Sequence, residues 1–147
     1  MDPTQPAAAV IESLAMRQHP EGGWYVETFR APSIEGGRPA ASTILYLLAA
    51  GERSHWHRVD AVEVWQHAAG EAIELRTWTE GDPAVTTHRL ATDLAPGSKV
   101  QAVVPAGSWQ AARPLGSWGL VGCIVAPAFE FAGFELAPTD WEPPLDG

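Results

Sequence analysis

From Trp24 onward, apolar and polar residues alternate in short runs separated by Gly, Pro, Asp and Ser. A period of two predicts strands with one face turned to a core. The runs are Trp24 to Arg30, Ser42 to Leu48, His55 to Val59, Ala61 to Ala68, Ala72 to Thr79, Val85 to Leu90, Lys99 to Val104, Trp109 to Arg113, Leu120 to Ala126 and Phe131 to Leu136. The amino-terminal segment differs: over Thr4 to Met16, Val10, Ile11 and Leu14 share one side of a helical wheel, Pro6 suits a first turn, and Thr4 is a candidate cap. His19-Pro20-Glu21-Gly22-Gly23 then ends the helix, because proline disfavours helix in the residue before it and two glycines permit a sharp turn. One helix followed by strands with no helices interleaved excludes a parallel α/β sheet. It leaves an all-β antiparallel sandwich or barrel.

Composition fixes the scale. The chain has 147 residues and a mass of 15.7 kDa, which predicts one domain. The expected organisation is a helix within 4–18, a barrel over 23–137 and a loose surface tail over 138–147. With 46% hydrophobic and 18% charged residues, the chain can bury a core and is not a disordered segment. The net charge is −9 and Lys99 is the sole lysine, so no basic stripe exists to neutralise phosphates and nucleic acid is not an expected partner. No apolar run approaches the ~18 to 20 residues of a membrane span. The start Met-Asp-Pro-Thr-Gln-Pro lacks the basic region of a signal peptide, which leads to a cytoplasmic expectation. Cys123 is the single cysteine and sits in an apolar run, as a buried thiol would.

Candidate chemistry concentrates in Gly51-Glu52-Arg53-Ser54-His55-Trp56-His57, with Glu63 and Gly70 beyond it. Residues two apart on a strand face the same way, so His55 and His57 are expected side by side. Glu63, Trp65 and His67 form a second same-face set, and the short link between the strands could bring Glu63 to His57. His55, His57 and Glu63 together are a candidate divalent-metal set, since imidazole suits zinc, iron, copper or nickel and a carboxylate balances the charge. The same residues also fit a plainer reading, with the histidines satisfied in a core and Glu63 ion-paired to Arg30 or Arg76. His19 and His88 read as turn and surface-strand residues.

A second stretch, Gly97 followed by Pro105-Ala106-Gly107-Ser108-Trp109-Gln110, completes a pattern that resembles the paired motifs of the cupin superfamily. Gly51, His55, His57, Glu63 and Gly70 stand at the places of its first motif, and Gly97, Pro105, Gly107 and Gln110 at those of its second. Three departures matter. Three residues rather than five separate Gly51 from His55, five rather than three or four separate His57 from Glu63, and Gln110 replaces the last histidine. A carboxamide is a poor partner for metals that imidazole selects. No tightly bound cofactor is expected, and at most a weak divalent metal.

A narrower resemblance covers nearly the whole chain. His19-Pro20-Glu21-Gly22-Gly23-Trp24-Tyr25, Glu27-Thr28-Phe29-Arg30, Ser42-Thr43-Ile44, His57-Arg58-Val59, Glu63-Val64-Trp65, Gly122-Cys123, Pro127 and Phe134-Glu135-Leu136 resemble a small cupin family described as predicted sugar epimerases or as a domain of unknown function. The resemblance implies a double-stranded β-helix, the RmlC-like jelly-roll barrel, usually as a homodimer, with a small sugar or metabolite as ligand. For an epimerase, His57 with Glu63 would be the base, Arg30 or Gln110 the donors to an enolate oxygen, and Tyr46 or Tyr25 the acid. Trp24, Trp65 and Trp109 are candidates to line the barrel mouth, with Glu27 beside Arg30. The alternatives are a metal-dependent cupin enzyme, such as a dioxygenase or isomerase, and a non-catalytic binding module.

Overall fold

The computed structural model describes residues 5–33 and 35–145. It contains one short helix, α1 (Ala7–Ser13), and the strands β1 (Arg17–Gln18), β2 (Trp24–Arg30), β3 (Ser42–Ala49), β4 (Ser54–Val59), β5 (Val62–Gly70), β6 (Ile73–Trp78), β7 (Thr86–Leu90), β8 (Ser98–Lys99), β9 (Gln101–Val104), β10 (Trp109–Pro114), β11 (Trp118–Ala126) and β12 (Phe134–Leu136). The first sheet runs β1-β2-β3-β11-β5-β9 and the second β12-β4-β10-β6-β7-β8. Their facing sides close a jelly-roll β-barrel. All described pairings are antiparallel except β7 with β8.

The alternation seen in the sequence decides what fills the barrel. Tyr46 and Leu48 of β3, Trp65 of β5, Leu75 of β6, Ala112 of β10 and Val121 and Cys123 of β11 meet between the sheets. Each large apolar side chain taken out of water there contributes about 1.5 to 3 kcal/mol. The outer faces are covered differently. On the first sheet α1 lays Val10 over Leu47, Trp118 and Leu120, and the Trp118 indole donates to the Gln5 carbonyl at 2.6 Å. On the second sheet Trp56, Trp78 and Trp109 pack together under Trp141, whose ring centroid lies 4.5 Å from that of Trp109.

Four sequence expectations need correction. The helix spans Ala7–Ser13 and stops short of Met16, because Ala15 takes a left-handed conformation (φ 54°) and Arg17–Gln18 then pairs with β2 as a strand. Pro6 is its cap residue, and the proposed cap Thr4 lies outside the described residues. The run 99–104 breaks at Val100, where the chain leaves the second sheet for the first. Phe131–Gly133 is a 3-10 turn, so the last strand is only Phe134–Leu136. The tail is anchored at Trp141, since an indole removed from water against three others outweighs the freedom of a free end. No described helix is long and apolar enough to cross a membrane.

Candidate functional site

A cavity of about 100 Å³ opens between the sheets, with His19, Glu21, His57 and Glu63 as its inner polar groups. Tyr25, Phe129 and Phe131 form an aromatic wall, and Glu27 and Arg30 stand at the exposed mouth. Arg30 is held in place: its Nε donates to Glu27 at 2.8 Å and its Nη2 to the Phe129 carbonyl at 2.9 Å.

His57 comes from β4, and its orientation follows from a bulge in that strand. Ser54 pairs with Ala112 and His57 with Gln110, so His55 and Trp56 together oppose the single residue Ala111. A bulge of this kind resets the alternation. Ser54, His57 and Val59 face inward, whereas Trp56 packs outside and His55 donates through Nε2 to the Pro138 carbonyl at 2.7 Å. The expected side-by-side pair of His55 and His57 is therefore absent. The inward ring donates its Nδ1–H to the His55 carbonyl at 2.8 Å, which leaves Nε2 of neutral His57 without a hydrogen. Burial holds the His57 pKa below its ordinary value.

Glu63 reaches the cavity from β5, in the opposite sheet. The proximity expected from a β4-β5 hairpin thus arises across the barrel, because the two strands do not pair. Glu63 is paired with neither Arg30 nor Arg76. Its Oε1 accepts from Gln110 Nε2 at 2.9 Å, while Gln110 Oε1 accepts from the Trp65 indole at 2.7 Å. This chain fixes the carboxylate in a fully buried place, and burial pushes its pKa up to about 7, against the opposing pull of His57 and Gln110.

In the sequence Glu21 stands only as part of a turn. Its side chain is only 9% exposed and lines the cavity, where the Ser54 hydroxyl donates to its Oε2 and desolvation raises its pKa to about 8. Two glycines deliver it there. Gly22 has φ +110°, a Cβ on it would collide with the Arg53 carbonyl, and its own carbonyl accepts the Tyr46 hydroxyl. His19, also read as a turn residue, is buried between Tyr25 and Tyr46. The available signal was the pairing of an ionisable residue with two glycines: a turn that needs both glycines is tightly packed rather than free on the surface.

The remaining candidates separate into two groups. Glu27, Arg30 and Tyr25 line the cavity, and Cys123 is a buried thiol in its wall. Trp24, Trp65, Trp109, Tyr46 and Gln110 do not line it. Trp24 lies on the outer face beside α1 and donates to Glu52 Oε2 at 3.1 Å. Trp109 is in the outer tryptophan cluster with the Arg58 guanidinium 4.7 Å above its ring. Trp65 is core, and Gln110 spends both ends of its amide on Trp65 and Glu63. The phenol of Tyr46 is spent on Gly22, so it is not a free acid.

Among the described residues no three His, Cys, Asp or Glu side chains converge as metal ligands. His55 points outward and the Gln110 amide is fully engaged, so the donor set His55, His57 and Glu63 does not fit a resident metal.

Comparison with known proteins agrees with this fold. The family described as Cupin superfamily (DUF985) matches residues 8–137. A Shewanella oneidensis protein, SO0799, is 37% identical over 91% of this chain and 85% of its own, with a TM-score of 0.84. A hypothetical protein from Leishmania major is 27% identical over 89% of this chain and 86% of its own, with a TM-score of 0.80. The capsular polysaccharide assembling protein CapF from Staphylococcus aureus, at 13% identity, 82% of this chain, 31% of its own and a TM-score of 0.65, is similar in fold alone. No curated protein matches the chain.

Proposed function

The chain belongs to the Cupin superfamily (DUF985), and from that premise we propose that its cavity moves a proton at a carbon next to a carbonyl, as an isomerase or epimerase of a small sugar-like metabolite. The observation that carries the reading is the opposition of two buried groups, Glu63 from one sheet and His57 from the other, across one cavity. Groups whose environments set them apart near neutral pH are what acid and base catalysis needs.

Glu63 is the base in this reading. With a pKa of about 7 it is partly ionised at neutral pH, yet basic enough to take a carbon-bound proton. His57, oriented by the His55 carbonyl rather than by Glu63, stands on the acid side: once protonated at Nε2 it places that hydrogen on the carbonyl oxygen as charge develops there, and its ring returns to neutral. Return of a proton to the carbon completes the isomerisation. Arg30, fixed by Glu27 and Phe129, orients the substrate at the mouth. Tyr25 and the two phenylalanines supply flat apolar contact for a ring or chain.

The test begins with a thermal-shift screen of small sugars and hydroxy-carbonyl metabolites, since a bound ligand raises apparent stability. Ligands that stabilise the protein are then incubated with it in heavy water. The native protein should place deuterium on the carbon next to the carbonyl, because a proton held by a carboxyl group exchanges before it returns. Glu63→Gln should slow label uptake by about 10² to 10⁴-fold. Ligands that bind without acquiring label, or a Glu63→Gln rate equal to native, would replace the isomerase with the binding module.

A further inference from the structure

The hydrogen count around Glu21 leads beyond the pair just described. His19 Nδ1 accepts the Glu21 backbone N–H at 3.1 Å, so that nitrogen carries no hydrogen of its own. His57 Nε2 is likewise bare, because the ring's hydrogen is on Nδ1 and directed at the His55 carbonyl. The Glu21 carboxyl lies between them, with Oε1 3.3 Å from His19 Nδ1 and Oε2 3.4 Å from His57 Nε2. An ionised carboxylate there would point lone pairs at lone pairs on both sides, with Ser54 as its one clear donor. The Tyr46 hydroxyl, also nearby, has its single hydrogen on the Gly22 carbonyl. One added hydrogen, carried on Glu21 Oε2 and donated to His57 Nε2, relieves the contact with His57, while the His19 Nδ1 lone pair is already taken by the Glu21 backbone N–H.

From this geometry we infer that Glu21 is a positioning residue of the site, which holds the hydrogen that makes His57 an acid. This rests on the proton-transfer reading above. Neutral His57 has only its Nδ1 hydrogen, and that one is fixed to the backbone. Burial opposes a second proton taken from solvent. Glu21 supplies it: the O–H bond at Oε2 breaks as an N–H bond forms at His57 Nε2, and the charge left on Glu21 is stabilised by Ser54. When His57 passes that hydrogen to the substrate oxygen, its ring returns to neutral, and the proton regained from the oxygen on collapse of the enol restores Glu21. No oxidant or further reactant is involved. The groups facing Glu21 are His19 just after β1, Tyr46 on β3, Ser54 and His57 on β4, with Glu63 on β5 and Cys123 on β11 across the cavity. None is a permanent cation, and the pull of the Ser54 and Tyr46 hydroxyls toward an ionised Glu21 is smaller than the effect of burial. Its pKa of about 8 agrees with the count.

The experiment is a pH titration of histidine ring-nitrogen resonances by NMR, on the native protein and on Glu21→Gln. In the native protein, His57 Nε2 should shift in one step near pH 8, as the hydrogen it shares with Glu21 Oε2 is lost. Glu21→Gln keeps a neutral side chain of the same shape but has no transferable proton. It should abolish that step and leave His57 with a bare Nε2 throughout. In the deuterium assay the variant should exchange at least about 10²-fold more slowly and lose the alkaline limb of the pH profile. A native His57 signal that stays constant to pH 9, or a step that persists in Glu21→Gln, overturns the inference. If the variant does not fold, the native titration decides alone. Should the native protein exchange no label with any ligand, the isomerase reading fails by itself, and the NMR step still answers whether Glu21 holds the hydrogen.

Discussion

Trp56 and His57 are neighbours on one strand and belong to opposite physical regimes. Trp56 faces outward into a layer of indoles with Trp78, Trp109 and Trp141, where nearly every contact is apolar and the guanidiniums of Arg58 and Arg76 cap the rings. His57 faces inward among ionisable groups that burial forces from their ordinary protonation states. The outer layer gains free energy from each ring it removes from water. The inner one keeps desolvated carboxyl groups that an apolar replacement would not strain. The difference teaches that apolar stabilisation resides in the cluster that resembles a binding platform, whereas the strained ionisable groups, where the proposed chemistry belongs, gather in the cavity fed by a turn.

The largest expected effect follows. Trp56→Ala should cost about 3 to 5 kcal/mol, the usual loss for a buried indole, and should leave ligand-induced stabilisation of the folded variant unchanged. His57→Ala should cost clearly less stability and abolish proton transfer. Denaturant unfolding of the two variants measures this, and a smaller loss for Trp56→Ala than for His57→Ala would break the contrast.

The regular parts of the fold were legible because strand alternation is local: the inward rows of β3, β5 and β11 follow from it residue by residue. Glu63 and His57 were legible as candidates from the family pattern, although the route that brings them together, across the barrel rather than through a hairpin, was not. What the pattern could not supply was the bulge at His55 and Trp56, one extra residue that turns His55 out of the site and depends on pairing with β10, more than fifty positions away. Glu21 and His19 were hidden for the opposite reason. They lie in a loop, and loops are ordinarily on the surface, but this one is drawn inward by Gly22 against β4. The tryptophans misled because size and flatness suit both a core and a ligand platform.

A second way to sharpen the contrast uses pH. Glu21 and Glu63 are raised to about 8 and 7, so between the ordinary carboxylate range and those values the folded state holds protons that the unfolded chain has released. His19, lowered to about 4 from 6.5, and His57, also lowered, act in the opposite sense below about pH 6.5. The two effects largely cancel there. Above that pH the histidines drop out, the folded state still binds more protons, and stability must fall until Glu21 has ionised. The expected loss between pH 6.5 and 9 is roughly 2 kcal/mol, read by denaturant unfolding at the two values, and Glu21→Gln should remove most of it. A native protein equally stable at both values would mean that the cavity carboxylates are not strained.

The smallest effect tests whether an aromatic residue beside the Gly22-Gly23 turn belongs to the outer regime. Trp24 follows those glycines directly, yet its ring packs on the α1 side with Val10, Leu47 and Trp118, and its indole reaches Glu52. Glu52 in turn accepts the Ala49 backbone N–H at 2.8 Å, so the carboxylate keeps one partner when the indole is removed. Trp24→Phe therefore preserves most of the apolar contact and deletes one partly exposed hydrogen bond to a charged acceptor. It should cost about 1 to 2 kcal/mol in denaturant unfolding. Since the ring lies outside the barrel wall, ligand-induced thermal shifts and deuterium uptake should match the native values. A variant of nearly native stability whose ligand response falls tenfold or more would put Trp24 at the mouth after all, and would move the boundary between the two regimes from β4 to β2.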